Sequence, residues 1–147
     1  MFKHILMPVD GTEFSAHAIE AGIRLARSIQ ARITGFIAEP VYMRPSYSEM
    51  ITHQGEHAED HTKRMRNQAE TALRRIGQRA HAAGVDFDGS FAESDDPAMA
   101  IINTAQENDC DLIVMASHGR RGLAGFIMGS VTHKVLTHSK LPVLVYR

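Results

Sequence analysis

The 147 residues predict one domain, residues 1–147, with a core large enough to fold without disulfides. Sixteen Lys and Arg against seventeen Asp and Glu give a formal net charge of −1, which excludes an overall basic field for nucleic acid or anionic membranes. The single cysteine, Cys110, excludes an intramolecular disulfide and is interpreted as a structural thiol. We find neither a signal peptide nor an apolar stretch approaching about 18 residues, so we expect a cytoplasmic protein without a membrane partner.

Apolar runs and helical periodicities alternate along the chain. In chain order they predict a strand at 2–9, a helix from Thr12, a strand at 32–38, a helix at 56–83 ending at Gly84, a strand at 85–93, a helix opened by Asp96 and Pro97, a strand at 112–116, a helix at 130–138 and a strand at 141–146. Residues 39–55 show no periodicity. Such alternation is typical of a parallel sheet covered by helices.

The composition of the strands predicts their order. The first and fourth strands are unbroken apolar runs, as central strands are, whereas the third alternates polar with apolar residues and the fifth contains Pro142. We therefore predict an α/β fold with an open five-stranded parallel sheet, order 3-2-1-4-5, and helices on both faces. The winding direction then reverses between strands 1 and 4, and open sheets of this kind bind ligands there, beyond the carboxyl ends of the strands.

A glycine-rich basic loop, SHGRRGLAGFIMGS, follows the fourth strand at that point. Gly119, Gly122, Gly125 and Gly129 allow backbone amides to approach a ligand, and Ser130 is the predicted N-cap of a helix whose N-terminus favours an anion. The pattern lacks the lysine of the common P-loop, and no G-x-G-x-x-G follows the first strand. It indicates a phosphate site of another kind, with a flexible strand-to-helix loop as the alternative.

Several polar side chains near this predicted ligand site have two interpretations each. Asp10 is placed to accept hydrogen bonds from a ribose, or to hold a metal through water, but it also fits an Asp-Gly turn. Arg120 and Arg121 fit charge-assisted bonds to phosphate, with solvated side chains on an exposed loop as the alternative, and we expect only one of the two to point inward. His118 is a donor for phosphate or for a backbone carbonyl.

Three histidines suggest a separate metal hypothesis. His53, His57 and His61 recur every four residues near the start of the second helix, and an i, i+4 pair of imidazoles can chelate zinc. Gly55 makes helix at His53 doubtful, and three rings on one straight helix do not converge on one ion. A solvent-facing polar stripe is the alternative.

The spacing of Ala116 to Gly119, nine residues, then Gly129 and Ser130 resembles the motif of the universal stress protein family. The PVD corner after the first strand, the D-P that opens the third helix and the terminal PVLV strand also fall where that family has them. The resemblance implies ATP binding, with adenine near the ends of strands 1 and 2 and the triphosphate in the glycine loop. One position departs from the motif, because Ala116 replaces its first glycine, at about 1 kcal/mol or more if the site needs a positive φ.

The resemblance also implies roles for single residues. The first adenosine contacts would be Pro8, Val9 and Asp10, with Ile37 beside the base and Met115 at the base or ribose. The phosphate ligands would include Gly119, Gly129, Ser130 and Val131. With the neighbouring loop residues, the complete candidate site is Pro8, Val9, Asp10, Ile37, Met115, Ala116, Ser117, His118, Gly119, Arg120, Arg121, Gly122, Gly129, Ser130 and Val131.

These residues favour a binding or signalling module over an enzyme, because no general base with an orienting partner is evident. The alternatives are slow ATP hydrolysis using Asp10 with Mg²⁺ or Mn²⁺, and a nucleotide-free stress protein acting through its dimer surface. The partners expected are an adenine nucleotide and a second copy of the chain, paired through the apolar outer strand Leu141 to Tyr146, an arrangement the family resemblance also implies. An edge covered by residues 39–55 of the same chain is the alternative.

Overall fold

A computed structural model of the chain describes residues 1–10, 13–41, 58–117 and 128–147. The elements alternate as predicted from the sequence: β1 (His4–Pro8), α1 (Glu13–Ile29), β2 (Arg32–Glu39), α2 (Ala58–Ala82), β3 (Phe87–Glu93), α3 (Pro97–Glu107), β4 (Leu112–Ala116), α4 (Ser130–His138) and β5 (Val143–Tyr146). The five strands form one parallel sheet in the order β3-β2-β1-β4-β5. The predicted fold class and strand order are confirmed.

Two separate apolar layers flank this sheet because side chains alternate along each strand. One layer joins Ile5 and Val114 of the central strands to the buried faces of α1 and α2. The other joins Leu6 and Ile113 to α3 and α4, where Val135 is fully buried. Both central strands are therefore covered on both faces, as their unbroken apolar sequences predict.

Local chemistry sets the ends of several elements. Gly84 follows α2 with a φ of +76°, a conformation that glycine adopts without strain. Asp96 is the N-cap of α3, where its side chain accepts a 3.2 Å bond from the Met99 amide, and Pro97 is the first helical residue, as predicted.

The predicted start of the fifth strand at Leu141 is wrong by two residues. The Ser139 hydroxyl accepts a bond from the Leu141 amide and donates one to the Leu141 carbonyl, at 3.0 and 3.1 Å, so a local turn occupies both backbone groups. The β5 strand begins after it, at Val143. None of the helices within the described ranges is long and apolar enough to cross a membrane.

A histidine lies inside the sheet layer. His4 of β1 is only 5% exposed, and its Nε2 atom lies 2.8 Å from the Thr34 hydroxyl of β2. Burial, with a smaller contribution from the Arg32 charge, lowers the pKa of this imidazole. Cys110 is also buried, and burial raises the pKa of its thiol to about 11, in keeping with a structural thiol.

We predict that His4 makes the fold sensitive to acid. Because the pKa of His4 is lowered in the folded state, the unfolded chain binds a proton just below pH about 6.5 that the folded chain does not yet bind. The free energy of unfolding therefore decreases as the pH decreases through this range. His4→Gln removes this proton and should reduce the slope by at most about 1.4 kcal/mol per pH unit. Denaturant unfolding from pH 8 to 5 measures it, with the exposed His17→Gln as the control. Identical slopes for both variants would contradict the prediction.

Candidate functional site

The carboxyl end of β1 lies against β2 and the start of α1. Val9 extends the strand by one residue, because its amide donates a 2.9 Å bond to the Phe36 carbonyl. The Asp10 amide then donates to the Ser15 hydroxyl in the first turn of α1, at 3.4 Å. Asp10 is half-buried and follows the carboxyl end of β1, so it lies at the edge of the sheet where the ligand site was predicted.

Ile37 and Met115 are both buried, but on opposite faces of the sheet. Ile37 belongs to the apolar layer under α1 and α2 and is 3% exposed, whereas Met115 packs in the layer under α3 and α4 and is 5% exposed. Their strands end at the same sheet edge as Pro8, since Pro8 pairs with Phe36 and Ala116 is the last residue of β4. The structure thus brings these positions to one edge and separates their side chains.

Hydrogen bonds close the base of the glycine-rich loop. The Ser117 carbonyl accepts a 2.9 Å bond from the Gly129 amide, and the Ser117 amide donates to the Tyr146 carbonyl at 2.8 Å. One turn into α4, the Thr132 hydroxyl donates to the Ala116 carbonyl at 3.0 Å. These bonds hold the N-terminus of α4 beside the end of β4. The other predicted loop residues lie outside the described residues: His118, Gly119, Arg120, Arg121 and Gly122.

The predicted N-cap of α4 is wrong by one residue. Gly129, not Ser130, is the N-cap, with φ −60° and ψ 146°, and it supplies no side-chain hydrogen bond to the helix. The bond from the Gly129 amide to Ser117 fixes this geometry, and the Gly129 carbonyl accepts the first helical bond, from His133 at 2.9 Å. Ser130 is the exposed first residue of the helix, followed by half-buried Val131. The N-cap residue therefore leaves the first-turn amides of α4 without a side-chain bond of its own, and amides of this kind at a helix N-terminus favour an anion.

Ala116 fits its position without backbone strain. It is the last residue of β4, where it pairs with Tyr146 in extended conformation. A positive φ, the condition under which its methyl group would be costly, is therefore not required there. The departure from the glycine motif leaves the geometry of this strand end intact.

An ion pair connects the N-terminus of α3 to the second turn of α4. The Lys134 ammonium lies 2.6 Å from the Oδ2 atom of Asp96, the N-cap of α3. The Lys134 hydrogen bond, with a smaller contribution from the Met99 amide, lowers the pKa of the Asp96 carboxyl. Neither Lys134 nor Thr132 was singled out from the sequence, although both lie within five residues of the glycine that ends the motif.

The structure describes only one of the three histidines in the metal hypothesis. His61 lies on α2, while His53 and His57 lie outside the described residues. Within residues 1–10, 13–41, 58–117 and 128–147, no three His, Cys, Asp or Glu side chains are grouped as a metal site requires.

The described residues also line two open cavities away from the carboxyl edge of the sheet. One, of about 500 Å³, runs along the polar side of α2 between Asp60 and Arg75. The other, of about 480 Å³, lies at the amino edge near Lys3, Arg27 and Arg32. At that edge α1 and α2 end, so basic side chains there complement the negative helix termini and need no bound anion to explain them.

An open parallel sheet in the order β3-β2-β1-β4-β5, with four helices in the described residues packed on its two faces, defines a Rossmann-like α/β protein. The model of the universal stress protein family matches residues 1–147, and the chain belongs to that family.

Relatives that match the whole of this chain carry the same family name. The chain is 32% identical over 149 residues to universal stress protein YxiE of Bacillus subtilis, covering 100% of both chains. It is 27% identical over 152 residues to universal stress protein MJ0531 of Methanocaldococcus jannaschii, covering 100% of this chain and 83% of that protein.

Solved structures share the fold. UspA from Lactobacillus plantarum superposes with a TM-score of 0.83 at 21% identity, covering 99% of this chain and 98% of that one. A universal stress protein in complex with cAMP gives 0.66 at 23% identity, covering 99% and 97%. The universal stress protein of Archaeoglobus fulgidus in complex with dAMP gives 0.67 at 15% identity, covering 100% and 98%.

Proposed function

We propose that this universal stress protein is a cytoplasmic ATP-binding module of stress response or signalling, with little or no turnover. The observation that carries the proposal is the first turn of α4, which is capped by a glycine without a side chain and held beside the end of β4. A phosphate bound there would accept hydrogen bonds from first-turn amides that the N-cap glycine does not cap. The adenine nucleotides cAMP and dAMP bound to two structural relatives support an adenine nucleotide as the ligand class.

The residues divide between the two ends of such a nucleotide. Pro8, Val9 and Asp10 would contact the adenosine, with Ile37 and Met115 bordering the base from the ends of β2 and β4. Ala116 and Ser117 would lead the chain into the loop, where the phosphates bind His118, Gly119, Arg120, Arg121, Gly122, Gly129, Ser130 and Val131. A Mg²⁺ or Mn²⁺ ion would neutralise the phosphates, and the half-buried Asp10 carboxylate is the oxygen ligand that suits it.

We predict that hydrolysis is very slow. Phosphoryl transfer to water needs a residue that orients the attacking water, and no such group is evident beside the α4 N-terminus in the described part of the chain. Phosphate release should stay far below the typical enzyme rate of about 10 per second. A phosphate-release assay with Mg²⁺ or Mn²⁺ measures it, with Asp10→Asn as the control for contaminating activity. Release at ordinary enzyme rates that Asp10→Asn abolishes would place the protein among the ATPases.

We further propose a two-fold homodimer through β5. The Ile113 amide donates to the Pro142 carbonyl at 3.0 Å and the Ser117 amide to the Tyr146 carbonyl at 2.8 Å. Because alternate residues of a parallel strand bond to the same neighbour, Val143 and Val145 direct their backbone groups to the outer edge. An antiparallel β5 from a second copy would pair with those groups, a solution for an apolar edge strand.

A further inference from the structure

The Asp96 carboxylate has two partners at the carboxyl edge of the sheet. Its Oδ1 atom accepts a 3.2 Å bond from the Met99 amide and so caps α3. Its Oδ2 atom accepts a 2.6 Å bond from the Lys134 ammonium of α4. Ser94, at the end of β3, fixes the backbone of Asp96 through two 3.1 Å bonds of its hydroxyl. A negative charge is thus held in place between the N-terminus of α3 and Lys134 in the second turn of α4.

The partner of that charge lies close to the proposed phosphate site. Lys134 follows Ser130 by four residues, which places the two on the same face of α4, about 6 Å apart along the helix. Since Asp96 is bonded to Lys134, its carboxylate lies on the order of 10 Å from the first turn of α4. At that distance an uncompensated carboxylate repels a bound polyphosphate, whereas an intact ion pair has little net effect.

We propose that Lys134 preserves phosphate affinity at the α4 N-terminus by cancelling the negative charge of Asp96, the residue that caps α3. The inference rests on the proposed nucleotide site. The Asp96 carboxylate caps α3 but has the wrong charge beside phosphate, and the ion pair with Lys134 offsets that charge. If the ion pair only stabilised the fold, loss of either partner would change the ATP affinity in the same direction.

Two single variants test whether the ATP affinity changes in opposite directions when one or the other partner loses its charge. Lys134→Met leaves the Asp96 charge uncompensated, so the affinity for ATP should fall about threefold to fivefold at low salt. Asp96→Asn keeps a side-chain oxygen that caps α3 and leaves the Lys134 charge uncompensated, so the affinity should rise by a similar factor. The double variant Asp96→Asn with Lys134→Met should return to the affinity of the unchanged chain. All effects should shrink at about 1 M salt, where the Debye length is about 3 Å.

A second ion pair supplies matched controls. Arg79 of α2 pairs with Glu20 of α1, with side chains 49% and 41% exposed against 43% for both Lys134 and Asp96. Arg79→Met and Glu20→Gln remove the same kinds of charge, but from the helix layer formed by α1 and α2. They should leave the affinity for ATP unchanged. Thermal unfolding of each variant verifies that the fold is retained.

Titration calorimetry with ATP in about 0.01 M salt separates the outcomes. Opposite shifts for the two single variants, cancelled in the double variant, support the inference. A loss of affinity in both single variants, or shifts equal to those of the Arg79 and Glu20 controls, would overturn it while the nucleotide site stands. Absence of ATP binding by the unchanged chain would overturn the proposed function together with this inference.

Discussion

Replacement of Gly129 by valine is expected to lower the affinity for ATP by about a hundredfold or more. The Gly129 backbone is extended, with φ −60°, so valine fits its conformation and the change acts through the space that the side chain fills. That space adjoins the first turn of α4, where phosphate would meet backbone amides. The loss of two charge-assisted hydrogen bonds at about 1.5 to 3 kcal/mol each accounts for the expected factor.

Gly129→Ala is the matched control for this variant. Alanine also replaces the glycine N-cap with a poorer one but adds only a methyl group, so it should lose less affinity than valine. Competition with a fluorescent adenine nucleotide measures both, and thermal unfolding measures the stability that each loses. If both variants bind ATP as tightly as the unchanged chain, the α4 N-terminus is not part of the nucleotide site.

Val143→Pro is expected to convert a dimer into monomers at micromolar concentration. Proline removes the outward amide of Val143, which would bond to the partner strand, while the β4 ladder keeps its bonds through Pro142 and Tyr146. Leu144 is 40% exposed on the outer strand and would be covered by the partner. Light scattering should give twice the 16.3 kDa chain mass before the change and the single mass after it.

Leu144→Pro provides the contrast for the dimer prediction. By the alternation of the strand, the Leu144 amide faces β4, so proline there should lower the free energy of unfolding rather than only release the partner. A monomer at micromolar concentration in the unchanged protein would contradict the β5 interface. It would favour an edge covered by residues 39–55 of the same chain.

The strand order follows from the sequence because burial on both faces is written into composition. Apolar runs at β1 and β4 require two covered faces, and the Asp96 and Pro97 pair specifies a helix start through local hydrogen bonding. The central strands depend on burial and the helix start depends on neighbouring residues, and both can be predicted from the sequence alone.

The errors and omissions arise where distant residues compete with local preferences. Serine is a better N-cap than glycine, yet the bond from Gly129 to Ser117 decides the start of α4. The bonds of Thr132 to Ala116 and Lys134 to Asp96 span 16 and 38 residues, and no spacing in the sequence indicates them. The site edge was therefore predicted, whereas the contacts that hold it were not.

Titration calorimetry of ATP, ADP and AMP into the nucleotide-free protein tests the central claim most directly. The nucleotide is first removed by denaturation and refolding, and mass spectrometry of the released material identifies any ligand the protein carried. We predict saturable heat with one ATP bound per chain, enhanced by Mg²⁺ or Mn²⁺ and lost in Gly129→Val. A refolded protein with native unfolding behaviour that gives no heat with any of the three nucleotides would contradict the account.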